Sequence, residues 1–237
     1  GNIDITGSVT ASANSEINGV SIGRGLGNVA TNTVVGNNAL DANTTGSNNT
    51  AIGDESLSAN TTGAQNVGIG AVSLNANISG NRNIGIGYQT LDANTTGDDN
   101  VAVGKSALGA NTTADDNTAV GSSALAINTT GASNTAVGAN ALDANTTGGN
   151  NTAVGHNSLG ANTGSNNTAT GQSALQDNTS GAQNTAVGRE ALRLNTTASN
   201  NTAVGNNALY ANTTGQKCTA VGQGALDSNT TANHNTG

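Results

Sequence analysis

One pattern of apolar and polar positions repeats from about residue 31 to the end of the chain. In the copy at 49–63 it reads Asn-Thr-Ala-Ile-Gly-Asp-Glu-Ser-Leu-Ser-Ala-Asn-Thr-Thr-Gly. The first glycine recurs every 17 residues, with a single 16-residue step between Gly155 and Gly171. A fixed period of this length indicates a solenoid. The twelve glycines in register are Gly36, Gly53, Gly70, Gly87, Gly104, Gly121, Gly138, Gly155, Gly171, Gly188, Gly205 and Gly222.

Each copy predicts two short strands joined by turns. The residues three and one before the glycine are almost always Thr, Val or Ile, and alternation of side chains puts both on one face, which we expect to point inward. A leucine four residues after the glycine forms a second inward row, and the alanine two residues later is expected to share its face. The leucine row is Leu40, Leu57, Leu74, Leu91, Leu108, Leu125, Leu142, Leu159, Leu175, Leu192, Leu209 and Leu226.

The charged residues mark the outside of the predicted coil. Burial of an unpaired charge is costly, so the slots that carry charges must face solvent. Within the repeats, all of these residues except Asp177 lie one, two or five positions after the glycine, or at the junction between copies. They are Asp54, Glu55, Lys105, Arg189 and Glu190, then Asp41, Asp92, Asp143, Arg193 and Asp227, then Arg82, Asp98, Asp99, Asp115, Asp116 and Lys217.

The predicted fold is all-β, a parallel β-roll or β-solenoid of about twelve 17-residue coils over residues 31–237. A helix is excluded because Asn, Thr and Gly, which disfavour helix interiors, recur in every copy. At ~4.8 Å per stacked strand, twelve coils form a rod on the order of 60 Å long. Gly237 falls inside a further copy, so we expect the array to continue beyond this fragment.

Residues 1–30 are predicted to be a lead-in with short strands. Ile3, Ile5 and Val9 lie among Gly, Ser and Thr, and Asn18-Gly19 is a turn signal. The segment 20–23, Val-Ser-Ile-Gly, resembles the strand of the repeat and lies 13 residues before Gly36. We interpret it as a degenerate, shortened first coil.

Composition argues against a globular core and against several functional classes. The chain of 237 residues has 34 Gly, two Tyr and no Phe, Trp, Met or Pro, so large core side chains are scarce. A net charge of −8 does not suit nucleic-acid binding, and no apolar run is long enough to span a membrane. The single Cys218 excludes an internal disulfide framework and occupies a slot that is Asn in the other copies, so we interpret it as a tolerated polar substitute.

Asparagine recurs four residues before the glycine, as at Asn49, and seven residues after it. Asn tolerates tight turns, and at a stacked position it can form a hydrogen-bonded ladder. Except for Asn162, where a residue is missing, the later position also matches the glycosylation sequence Asn-x-Ser/Thr, which the ladder does not exclude. The predicted structural ladder is Asn43, Asn60, Asn77, Asn94, Asn111, Asn128, Asn145, Asn162, Asn178, Asn195, Asn212 and Asn229.

Other side chains suggest no chemistry. The pairs 98–99 and 115–116 are two stacked Asp-Asp dipeptides, which we interpret as a solvated acidic patch in preference to a cation site. His156 and His234 are far apart and at exposed or junction positions. No GGxGxD run indicates a calcium-binding roll, and no nucleophile–base set or phosphate loop is present. We therefore expect no enzymatic activity, no catalytic or metal site and no cofactor.

The run at 134–148, Asn-Thr-Ala-Val-Gly-Ala-Asn-Ala-Leu-Asp-Ala-Asn-Thr-Thr-Gly, resembles the head repeats of trimeric autotransporter adhesins. It is closer still to Asn-Thr-Ala-Val-Gly arrays in tail-fibre-like proteins of phages and aquatic bacteria. The resemblance covers roughly residues 18–237. It implies a left-handed, trimeric β-roll located outside a cell or on a virion. The adhesin repeats are three residues shorter per coil, so this chain departs from them in coil size.

The resemblance and the pattern together indicate a non-enzymatic structural or adhesive fibre segment, a rigid extracellular rod that spaces or presents a binding tip. The partners expected are further copies of the chain, in a homotrimer or end-to-end filament, and a host-surface or matrix receptor. An alternative is an ice-binding solenoid that uses stacked threonines such as Thr44 and Thr45. A carbohydrate-degrading β-helix is the weakest reading, because clustered carboxylates and aromatic platforms are lacking.

Overall fold

The computed structural model describes residues 15–17 and 20–237. Its strands form one sheet in chain order, fourteen in all over those residues. A turn of 3-10 helix at Leu26–Asn28 precedes the repeats. The strands are β1 Ser15–Ile17, β2 Val20–Gly23, β3 Thr33–Val35, β4 Thr50–Ile52, β5 Val67–Ile69, β6 Ile84–Ile86, β7 Val101–Val103, β8 Thr118–Val120, β9 Thr135–Val137, β10 Thr152–Val154, β11 Thr168–Thr170, β12 Thr185–Val187, β13 Thr202–Val204 and β14 Thr219–Val221.

From β3 to β14 each strand pairs in parallel with the next and keeps one register. Thr118 lies opposite Thr135, and Ala119 lies opposite Ala136, so equivalent positions of successive coils stack directly. A further parallel bridge joins Thr219 to Thr236 after β14. The predicted parallel β-solenoid with a 17-residue coil is therefore confirmed.

Each coil contains one strand, and the prediction of two is wrong. The half-coil around the leucine consists of turns, because its backbone is left-handed at two positions: φ is 54° at Glu55 and 52° at Leu57. Coils still bond to each other there, since the Leu57 N–H donates to the Ser73 carbonyl at 2.9 Å. The second wall is stacked and hydrogen-bonded without extended strands.

The strands face the opposite way from the prediction. Ala51, between Thr50 and Ile52, has no exposed surface, whereas Ile52 is 37% exposed. The interior is narrow at this position: it is Ala or Gly in β4–β14 and Val34 in β3, and a Cβ added at Gly68 would lie 2.5 Å from Ser56 Oγ. The small residue therefore points inward, and alternation turns both β-branched neighbours outward.

The leucine of each coil fills the interior opposite the strand. From Leu40 to Leu209 these side chains have no exposed surface, and Leu226 is partly buried against the same cluster. The residue just before the leucine is buried with it, as at Ala107. The alanine two residues after the leucine is only half-buried, as at Ala59, so its predicted place on the leucine face is wrong.

The lead-in is a hairpin arm. β2 pairs antiparallel with β1 on one side and with β3 on the other, so Val20–Gly23 does not form the shortened first coil expected from its sequence. An added coil would run parallel to β3. The predicted strands around Ile3, Ile5 and Val9 and the turn at Asn18-Gly19 lie outside the described residues.

Candidate functional site

The asparagines seven residues after the glycine form a ladder inside the solenoid. Asn60 Nδ2 donates to Asn43 Oδ1 at 3.2 Å, and Asn77 Nδ2 donates to Asn60 Oδ1 at 2.8 Å. Each amide also closes its own turn, as when Asn60 Nδ2 donates to the Gly63 carbonyl at 3.0 Å. From Asn43 to Asn212 these residues have no exposed surface. The ladder satisfies the polar atoms of an otherwise small core.

The asparagines four residues before the glycine form a second interior ladder. Asn49 Oδ1 accepts from the backbone N–H of Asn66 at 2.9 Å, and Asn49 Nδ2 donates to the Gly63 carbonyl at 2.8 Å. The Gly63 carbonyl thus receives an amide from each ladder. Two connected rows of buried amides run parallel to the leucine row and hold successive turns in register.

This geometry bears on the glycosylation sequences. Transfer of a glycan needs access to Nδ2, and in a coil such as that of Asn60 both hydrogens of Nδ2 are used in buried hydrogen bonds. The fully buried asparagines of the first ladder, from Asn43 to Asn212, are therefore closed to this modification once the coil has folded. Their recurrence is explained by the turn and the ladder.

The 16-residue coil interrupts the first ladder and leaves the sheet intact. Thr152 still pairs with Thr168 in the common register, so the predicted tightened turn without loss of strands is confirmed. Asn162 Nδ2 donates to the Gly164 carbonyl, two residues away, at 2.9 Å, where other coils span three residues. Asn145 Oδ1 is left buried without a partner.

Insertion of a threonine between Thr163 and Gly164 is expected to stabilise the protein. It restores the 17-residue coil and gives Asn145 Oδ1 the donor it lacks, which removes a penalty of about 1–3 kcal/mol for an unsatisfied buried acceptor. The free energy of urea unfolding measures the gain. The matched control, a threonine inserted between Thr147 and Gly148, lengthens a regular coil and is expected to destabilise. Equal effects of both insertions on the free energy of unfolding would show that the missing residue does not leave Asn145 Oδ1 without its donor.

Cys218 occupies an asparagine position of the second ladder and makes some of the hydrogen bonds that asparagine makes in the other coils. Its side chain has no exposed surface; its backbone N–H donates to Asn201 Oδ1 at 2.9 Å, and Sγ donates to the Ala232 carbonyl at 3.2 Å. A thiol supplies no amide oxygen for the backbone N–H of Asn235, the equivalent bond in other coils. The interpretation of Cys218 as a substitute for Asn agrees with these contacts.

Cys218→Asn is expected to raise stability by about 1 kcal/mol, because it adds the missing acceptor and a stronger donor. Cys218→Ala is the matched opposite, since it removes the bond from Sγ to the Ala232 carbonyl, and it is expected to lower stability. Thermal unfolding of the two variants beside the parent measures both effects. A Cys218→Asn variant less stable than the alanine variant would show that the slot is not part of the ladder.

The acidic patch has structural partners. Asp98 Oδ1 accepts from the backbone N–H of Asn81 at 2.6 Å, and Asp115 Oδ1 accepts from that of Asp98 at 2.7 Å. Arg82 forms two hydrogen bonds with Asp99, at 2.6 and 2.7 Å, and they hold the pKa of this carboxyl below its usual range. These carboxylates bond to the backbone and to an arginine instead of converging on a common point.

A shallow notch of about 320 Å³ opens where Gly160 leaves space between Asp143 and Asp177. Partial burial raises the pKa of Asp143. His156 and His234 are exposed. Among residues 15–17 and 20–237, no three His, Cys, Asp or Glu side chains are grouped so that they could hold a metal ion.

The surface that the sequence interpretation missed is the outer sheet face, defined here as the residues three and one before each glycine in β3–β14. Its threonine hydroxyls, for example those of Thr118 and Thr135, make no hydrogen bond within the described chain. The signal was present in the sequence: the residue between the two β-branched positions is nearly always Ala or Gly, the size that the narrow interior requires.

The threonines on the turns differ from those of the outer sheet face. Thr44 Oγ1 donates to the Thr61 carbonyl of the next coil at 3.0 Å, and Thr129 Oγ1 donates to the Thr146 carbonyl at 3.0 Å. Most hydroxyls of this row therefore donate to the backbone of the next coil. The following row, which contains Thr45, loses its member in the 16-residue coil, where Thr163 is followed directly by Gly164.

No protein-family model, curated protein or solved structure matches this chain. Within the part of the chain that the structure describes, no helix has the length and apolar character needed to cross a membrane. The site residues are thus assigned from geometry alone: two interior amide ladders, a leucine row, and an outer sheet face of threonine and aliphatic side chains.

Proposed function

We propose that this chain is a segment of an extracellular fibre at a cell or virion surface, a stiff rod without enzymatic activity that spaces or presents a binding tip. The observation that carries the proposal is the unbroken register of β3–β14, which persists through the 16-residue coil. A stack in which each coil bonds to the next over its whole circumference resists bending and proteolysis.

The distribution of variation supports a spacer. Buried slots repeat with little change, whereas the slots one, two and five residues after the glycine accept Asp, Glu, Lys, Arg or neutral residues. A receptor site at one place on the rod would need a distinctive local cluster. The described coils instead repeat the same geometry, so the number of coils sets the length of the rod.

A deletion series tests the spacer. Removal of residues 105–138, two whole coils, joins Gly104 to Ala139 in register and is expected to leave a folded rod shorter by ~10 Å in small-angle scattering. Removal of 105–129, which is not a whole number of coils, is the control and is expected to disrupt folding. An unfolded product from the in-register deletion would overturn the modular rod.

Self-association is part of the proposal, as a homotrimer or an end-to-end filament. The leucine row is already covered within one chain, so copies are not needed to bury the interior. Sedimentation equilibrium distinguishes the assemblies: three times the chain mass of 22.8 kDa supports the trimer, and a concentration-dependent series of polymers supports the filament. A monomer at all concentrations would remove self-association from the proposal.

A further inference from the structure

The outer sheet face is uniform and uncharged. It contains only Thr, Val and Ile from β3 to β14, while the charged residues of the repeats lie on the turns. Its aliphatic side chains one before the glycine are partly exposed in every coil; six of them, Ile52, Ile86, Val137, Val154, Val187 and Val204, are 36–38% exposed, and Val221 near the end of the array is 63% exposed. The face therefore presents the same small surface element in every coil.

Register makes this surface a two-dimensional grid. Neighbouring strands are ~4.8 Å apart, and the two outward residues of one strand are separated by ~6.7 Å. Because equivalent positions stack without offset, as Thr135 does on Thr118, hydroxyl and methyl groups form straight rows in both directions. Oxygen rows on a prism face of hexagonal ice have spacings close to these two values.

The hydroxyls favour water over a dry protein partner. Threonine stands three before the glycine in nine of the twelve strands, namely in β3, β4 and β8–β14, and these hydroxyls have no partner in the described chain. A closely packed apolar partner would leave buried hydroxyls unsatisfied, which is costly. Ordered water satisfies each hydroxyl and also covers the methyl groups between them.

We infer that the outer sheet face binds ice, through water ordered by its threonine hydroxyls and its Val and Ile methyl groups. This is an activity in addition to the proposed spacer, and it requires the face to be open in solution. The turn row that contains Thr44 is a poorer candidate, because most of its hydroxyls donate to backbone carbonyls, and the row that contains Thr45 lies on turns outside the strands and skips the coil of Gly164.

Thermal hysteresis of the intact chain at micromolar concentration tests the inference. The parent is expected to depress the freezing point below the melting point and to shape ice crystals. Thr135→Lys puts a charge at the centre of the face and is expected to lose most of this activity. Thr130→Lys is the matched control, since Thr130 is exposed on the turn row of the same region, and it is expected to retain the activity.

Thr152→Lys provides an independent test on β10 in case Thr135→Lys fails to fold, and circular dichroism verifies folding of all three variants. Absence of hysteresis in the folded parent overturns ice binding and leaves the rod proposal standing. A second result would also overturn ice binding: a parent that has three times the chain mass and no hysteresis, and a Thr135→Lys variant that is a monomer. That result would show that another copy of the chain covers the face. Equal loss of thermal hysteresis in Thr130→Lys and Thr135→Lys would contradict the assignment of ice binding to the outer sheet face.

Discussion

Gly138→Ala is expected to destabilise the coil stack by about 2–6 kcal/mol, the sum of backbone strain and overpacking. Gly138 has φ 135°, a conformation that a side chain strongly disfavours, and an added Cβ would lie 2.6 Å from the Gly155 carbonyl oxygen. The next coil cannot withdraw, since the Gly155 N–H donates to the Val137 carbonyl at 2.8 Å. Urea unfolding followed by circular dichroism measures the loss.

The matched control is Gly160→Ala. An added Cβ there has its nearest neighbour, the Asn157 carbonyl oxygen, at 3.5 Å, and the backbone does not need a glycine conformation. The equivalent position of another coil is already alanine, Ala126. We expect a change within about 0.5 kcal/mol, as for other surface substitutions. A Gly138→Ala variant as stable as Gly160→Ala would show that close stacking at the glycine is not required.

Asn128→Ala is expected to lower the free energy of unfolding by about 2–5 kcal/mol, because it leaves buried polar groups without partners. Asn128 Nδ2 donates to Asn111 Oδ1 at 3.1 Å and to the Gly131 carbonyl at 2.9 Å, while its Oδ1 accepts from Asn145 at 3.0 Å. Alanine removes all three bonds and leaves a cavity in the ladder. Denaturant unfolding of the variant beside the parent measures the effect.

Thr130→Ala controls for the loss of a polar side chain in the same turn. Thr130 is exposed and its hydroxyl has no partner in the described chain, so we expect a change within about 0.5 kcal/mol. If Asn128→Ala matched this small effect, the buried ladder would not contribute to stability. The two variants therefore separate the ladder from the general polarity of the turn.

The coil period, the parallel stacking and the identity of the interior leucines could be derived from the printed residues. Periodicity alone required stacked units, and the charged slots marked the solvent side. The same reasoning located the tightened turn at Asn162, since one missing residue has to be absorbed where no strand is interrupted. These conclusions depend on spacing, which the linear sequence states directly.

The direction of the strand faces could not be obtained in the same way. Ile52 is more hydrophobic than Ala51, so hydrophobicity alone favours Ile52 as the buried residue, and the structure buries Ala51 instead. The leucine and its neighbour, as at Leu57 and Ser56, reach across from the other wall and leave little room, so the buried strand residue is Ala or Gly in β4–β14 and Val34 in β3. Which residue is inside was decided by the width of the coil.

Sequence alone therefore determined the repeat, the solenoid and the two asparagine rows, because each is a consequence of regular spacing. Only the tertiary structure decided that each coil has a single strand, that Val20–Gly23 pairs antiparallel, and that the Thr and Val rows face outward. The single strand depends on how left-handed residues such as Leu57 bend the backbone, and the outward rows depend on the space left inside the coil. The antiparallel pairing depends on how the chain enters the sheet edge at β3, and none of these is visible in a pattern of residue types.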